Sequence, residues 1–115
     1  MEILVVEDDR GVRDGLSRLL RSGGHTVTLA ASVAQGLAAL DGQAVALVDL
    51  MLPDGLGTTV LQEIRRRGRP GRVAILTAVP WERFVGVALA GCPPDRVFPK
   101  PFDPEALLAW VAATE

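Results

Sequence analysis

Short apolar runs rich in branched residues recur along this chain, each followed by a helix-length segment: "EILVV", "TVTLA", "AVALV", "RVAIL" and a weaker "RVF". Such runs fit strands covered on both faces. The intervening segments carry the helical apolar period. From about Gly11 to Arg21, Val12, Leu16, Leu19 and Leu20 fall on one face, and Gly23 and Gly24 stop the helix. Ser32 is placed to cap a second helix bearing Val33, Leu37 and Leu40. A third turns Val60, Leu61 and Ile64 inward and ends in arginines, Trp81, Phe84, Val85 and Ala88 mark a fourth, and Pro104 suits the first turn of a fifth. Five strands alternating with five helices predict a parallel sheet with helices on both faces and right-handed crossovers, a doubly wound α/β fold.

At 115 residues, one domain spanning 1–115 is expected, with a core that needs neither disulfide nor structural metal. Cys92 is the only cysteine, and its neighbourhood supplies no second cysteine or histidine at metal-ligand spacing, which fits a reducing, cytoplasmic setting. No apolar run approaches the ~20 residues of a membrane span. A net charge of -2 provides no global attraction for nucleic acid. The basic cluster "RRRGRPGR", Arg65 to Arg72, reads as cations complementing a helix C-terminus.

In doubly wound sheets, ligands bind beyond the carboxyl ends of the strands. Glu7, Asp8 and Asp9 follow the first predicted strand, Asp49 the third, Thr77 and Ala78 the fourth, and Lys100 the fifth. Crowded carboxylates repel one another unless a cation neutralises them, and oxygen-only ligands suit Mg²⁺. Lys100 is the only lysine in a chain that otherwise uses arginine. Its compact ammonium can meet a carboxylate or a phosphoryl oxygen in a space too narrow for a guanidinium. Together these residues look suited to holding a phosphoryl group on one carboxylate, with a metal on one side and lysine on the other.

"ILVVEDD", "VALVDLMLPDGLG", "AILTA" and "FPKPF", in this order and spacing, resemble the CheY-like receiver domain of two-component response regulators, from Glu2 to about Ala113. The resemblance implies a flavodoxin-like (βα)5 sheet with strand order 2-1-3-4-5. It implies that Asp49 accepts a phosphoryl group. Mg²⁺ would be bound by Asp8 directly, by Glu7 through water, by Asp49 and by the backbone carbonyl of Met51. Thr77, the Ala78 N–H and Lys100 would hold the phosphoryl oxygens, and the Lys100–Pro101 bond would be cis. Pro53 and Gly57 match the turn after the phosphoacceptor. The donor would be a histidine kinase or a histidine phosphotransfer protein. The domain would be no enzyme in its own right, though it would promote its own phosphorylation and dephosphorylation.

Several positions depart from the family pattern. Val97 stands where an aromatic switch residue is frequent, with Phe98 beside it, and "GCPPDR" makes a longer turn before the fifth strand. Met51 and Val79 occupy the positions that set the lifetime of the acyl phosphate; both are apolar, which predicts slow autodephosphorylation. Val87, Leu89, Val97, Phe98 and Trp110 are candidates for an apolar output face on the fourth helix, fifth strand and fifth helix, where a homodimer partner or an effector would bind. Helical spacing alternatively places Trp110 with Leu107 and Val111 in the core. His25 opens a strand after a glycine turn and reads as structural.

Other classes fit less well. A haloacid-dehalogenase-like phosphatase would need an Asp-x-Asp pattern after the first strand and room for a cap domain. A dinucleotide-binding domain would need a glycine-rich first turn in place of an acidic one. The main alternative is a receiver-like interaction module that no longer uses phosphorylation. The chain ends just after the predicted fifth helix, so no output domain and no direct nucleic-acid binding are expected.

Overall fold

Five parallel strands form the sheet: β1 (Glu2–Val6), β2 (Thr26–Ala30), β3 (Val45–Asp49), β6 (Arg72–Thr77) and β7 (Arg96–Pro99). Their spatial order is β2-β1-β3-β6-β7. Counted within this sheet alone, that is the expected order 2-1-3-4-5. The two intervening strands, β4 (Met51–Leu52) and β5 (Gly55–Leu56), make a separate antiparallel hairpin that the sequence reading did not anticipate. The computed structural model describes residues 1–79 and 93–114. The expected fourth helix, with Val87 and Leu89, lies outside the described residues, as does Cys92.

Period-two alternation divides the buried strand residues between two cores. Leu4, Val6, Ala46, Val48, Val73 and Ile75 face α2 (Val33–Ala39) and α3 (Thr58–Arg67). Ile3, Val5, Val45, Leu47, Ala74 and Leu76 face α1 (Arg10–Ser22) and α4 (Pro104–Ala112). Both faces of the three central strands are therefore dry, which accounts for their unbroken apolar runs. On β7 the same alternation sends Val97 to the α2/α3 side and Phe98 to the α1/α4 side.

This placement removes Phe98 from the expected output face and, of the two positions open to Trp110, selects the core one with Leu107 and Val111. Phe98 is buried, and Trp110 packs on it edge to face with ring centroids 5.9 Å apart. The Arg72 guanidinium lies 4.5 Å from the Trp110 ring centroid and covers its outer side. Neither aromatic is part of an exposed patch, and Phe98 faces away from the core in which Val97 sits.

The helix ends follow local chemistry. α1 begins one residue before the expected position, at Arg10, because Asp9 is its N-cap and accepts from Val12 N at 3.0 Å. Of the two glycines after it, Gly24 takes the left-handed conformation, at φ 88°. Ser32 caps α2 by accepting from Gln35 N at 3.0 Å. α3 ends in Arg65, Arg66 and Arg67, of which the last two pair with Glu63 and the first with Asp95. His25 Nδ1 lies 3.2 Å from the Met1 amino nitrogen, away from the acidic cluster in sequence and register. No described helix is long and apolar enough to cross a membrane.

Candidate functional site

β1, β3, β6 and β7 all end at one rim, and the residues at their ends converge. Glu7 follows β1 directly; its backbone N–H donates to Ala30 O at 2.9 Å, and its side chain is wholly buried. Asp8 beside it is exposed. Arg13, one turn into α1, donates from Nη1 to the carbonyl oxygens of Glu7 and Asp8 at 3.0 and 3.3 Å, tying the acidic turn to the helix. Sequence reading did not single out Arg13, and it grouped Asp9 with Glu7 and Asp8 as acids following the first strand.

Asp49 is the last residue of β3 and is buried. The chain beyond it is held by Leu50 N donating to Leu76 O and by Gly57 N donating to Leu50 O, each at 2.8 Å. Gly57 must be glycine for space. A Cβ there would collide with the Asp49 carbonyl oxygen and approach Val48 Cγ1 to 2.8 Å. The turn is thereby pressed against the backbone of Asp49, whose Oδ1 accepts from Met51 N at 3.3 Å. Met51 itself is 51% exposed.

Lys100 reaches into this cluster from the end of β7. Its backbone N–H donates to Thr77 O at 2.8 Å, and the Lys100–Pro101 bond is cis. Nζ donates to Glu7 Oε1 and Oε2 at 3.0 and 2.8 Å and to Asp49 Oδ2 at 3.2 Å. Burial pushes the Glu7 carboxyl above its ordinary value against the opposing pull of the Lys100 hydrogen bond, and the charge of Asp49 raises it further. For Lys100, burial acts downward, but the Glu7 hydrogen bond and the Asp49 charge outweigh it and hold the ammonium above the ordinary lysine value.

Thr77 ends β6 with its hydroxyl turned into the following loop. Oγ1 accepts from Val79 N at 2.9 Å and donates to Val79 O at 3.0 Å. Ala78, between them, is exposed. Val97, two residues before Pro99, is partly buried against the α2/α3 core and offers no ring to move.

Ligand oxygens of Glu7, Asp8 and Asp49 all lie within 4.8 Å of one another. Three carboxylates at that separation, one of them buried, exceed what a single ammonium neutralises. Such a hard, oxygen-only donor set fits a small divalent cation.

Residues 3–112 match the family model of the response regulator receiver domain. The chain is 38% identical over 117 residues to the response regulator MprA of Mycobacterium avium (strain 104), an alignment covering 98% of this chain and 50% of MprA. It thus spans about half the length of the curated relatives it matches. The BeF3-activated receiver domain of DrrB, a Thermotoga maritima protein, is similar with a TM-score of 0.85 at 29% identity, covering 98% of this chain and 95% of that one. A receiver domain of a Pseudomonas aeruginosa PAO1 sensor histidine kinase, with a magnesium ion coordinated in its active-site cleft, gives a TM-score of 0.85 at 28% identity, covering 97% and 94%. The match to the family model runs through all the strand ends that build the acidic rim, and the chain belongs to the response regulator receiver domain family.

Proposed function

We propose that this domain takes a phosphoryl group onto Asp49 from a phosphohistidine of a kinase or phosphotransfer protein in the cytoplasm, and that the modified state is the signal. The observation that carries this reading is the Lys100 ammonium shared between buried Glu7 and Asp49. It sets a positive charge beside the Asp49 oxygen, where charge develops as the carboxylate attacks phosphorus.

In the transfer, an Asp49 carboxylate oxygen bonds to phosphorus as the phosphorus–nitrogen bond of the donor breaks. The imidazole keeps that electron pair and leaves neutral, its other nitrogen protonated. The carboxylates of Glu7, Asp8 and Asp49 and the Met51 carbonyl would hold Mg²⁺, which supplies charge neutralisation for the incoming phosphoryl oxygens. Lys100 exchanges carboxylate contacts for a phosphoryl oxygen, and the Ala78 N–H faces the same group. Thr77 releases the Val79 backbone to donate its hydroxyl to phosphate, so that the loop after β6 is freed when Asp49 is modified.

An apolar cleft of about 580 Å³ lies beside Lys100, lined by Val12, Leu16, Leu19, Pro101, Phe102 and Pro104. It supports docking of the phosphodonor next to the acceptor. An effector or a second copy would read the change through the segment after β6 and through Val97.

The reading is tested by adding beryllofluoride and Mg²⁺ and following backbone amide resonances. Shifts at Thr77, Ala78 and Lys100 that vanish in Asp49→Ala are expected. Identical shifts in that variant would contradict it.

A further inference from the structure

The hairpin that carries Met51 is too short to hold its own position. β4 and β5 contribute two residues each, paired Met51 with Leu56 and Leu52 with Gly55, and such a ribbon has little independent stability. Its root is fixed by Gly57 against Asp49. Its tip is fixed by Asp54, in the turn, whose Oδ1 accepts from Val33 N at 2.7 Å and Oδ2 from Ala34 N at 3.0 Å. Those two amides open α2 and belong to the donors that a helix start leaves unpaired. Ser32 serves Gln35 N from within its own turn, whereas Asp54 reaches across from another element. Gly55, at φ 151°, gives the turn a backbone conformation that residues with a Cβ rarely adopt.

We infer that Asp54 is a positioning residue for the metal site: by clamping the hairpin tip to the first amides of α2, it fixes where Met51 presents its backbone carbonyl to the carboxylates of Glu7, Asp8 and Asp49. The inference rests on the metal reading above and extends it to a residue that touches neither metal nor phosphoryl group. Asp54 is exposed, and water would satisfy its carboxylate equally well elsewhere. What its two charge-assisted bonds add is geometry. The Ala34 and Val33 donors also hold its carboxyl below the ordinary value, so the clamp stays ionised at neutral pH.

The test is calorimetric titration of Mg²⁺ alone into the full chain as wild type, Asp54→Ala, Asp54→Asn and Ser32→Ala, with a thermal melt of each. Asp54→Ala is expected to weaken Mg²⁺ binding about tenfold, the lower end of the effect of losing groups that orient metal ligands. Asp54→Asn keeps one acceptor on a side chain of equal size and falls between the two; it carries the test should Asp54→Ala not fold. Ser32→Ala removes the local cap of the same helix, lowering Tm while leaving Mg²⁺ affinity at the wild-type value. Unchanged affinity in the Asp54 variants overturns the inference, and so does equal weakening by Ser32→Ala, which would mark a general loosening of α2. A wild-type chain that takes up no Mg²⁺ overturns the metal reading itself and the inference with it.

Discussion

Lys100 Nζ lies 2.8 Å from Glu7 Oε2 and 3.2 Å from Asp49 Oδ2, so that one ammonium joins a wholly buried acid to the carboxylate assigned as phosphoacceptor. A planar guanidinium fans its donors over a wider arc and cannot sit between the two. Lys100→Arg is therefore expected to fold yet keep less than roughly a tenth of the phosphorylation rate, and Lys100→Met to lose about 100-fold. Lys100→Met also strips Glu7 of its partner, at a cost of about 1–3 kcal/mol in chemical denaturation. Wild-type rates in Lys100→Arg would contradict this role.

Glu7 poses the opposite case. Burial raises its pKa, so its ionised form is held at a cost in the metal-free fold at neutral pH. A group with a raised folded-state pKa contributes its stability at low pH and loses it as pH rises through that value. Glu7→Gln removes the penalty while leaving Lys100 paired with Asp49. It should raise Tm in the absence of metal and abolish the further rise that Mg²⁺ gives the wild type. A lower Tm without metal would show that the ion pair outweighs the desolvation.

Gly57→Ala should be among the most damaging small substitutions, because the added methyl meets the Asp49 backbone and the Val48 side chain. Overpacking of this kind costs about 1–3 kcal/mol. Phosphorylation should fall further than stability explains, since the displaced atoms belong to Asp49. Denaturant melts beside phosphorylation rates separate the two effects.

Glu63, bonded by Arg66 first and Arg67 next, has its pKa held down to about 2. A depressed carboxyl stabilises the fold above its unfolded value of 4.5 and ceases to do so as pH falls toward about 2. The Tm gap between wild type and Glu63→Gln should close over that window. The pair is solvent-exposed, so the gap should be small and should shrink in high salt. A gap independent of pH would contradict the ionic origin.

Met51 is half-exposed at the rim, and Val79 lends Thr77 only its backbone. Neither side chain can orient a water toward phosphorus. The phosphorylated domain should lose its label slowly, and Met51→Asn with Val79→Glu should speed the loss by about tenfold, short of the ~100-fold that a fully positioned general base supplies. A double variant with an unchanged rate would assign the lifetime to other residues.

The doubly wound sheet was legible because strands buried on both faces leave unbroken apolar runs, and because the strand ends carry the acids, Thr77 and Lys100. Other features depend on contacts with no local signature. In "EDD" nothing distinguishes Asp9 as a helix cap from Asp8 as a candidate ligand. The hairpin from Met51 to Leu56 is too short to show a period. Asp54 meets α2 about 20 residues away in sequence. Phe98 looks like a surface aromatic until the alternation of β7 is anchored, and the Arg72 guanidinium over the Trp110 ring leaves no trace in a reading by hydrophobicity.

Intact mass after incubation with acetyl phosphate and Mg²⁺ tests the central claim most directly, comparing wild type, Asp49→Ala and wild type with the metal chelated. The account predicts a single labile phosphoryl adduct that requires both Asp49 and Mg²⁺. An adduct that persists in Asp49→Ala, or no adduct on a wild type that also refuses transfer from a panel of histidine kinases, would contradict it.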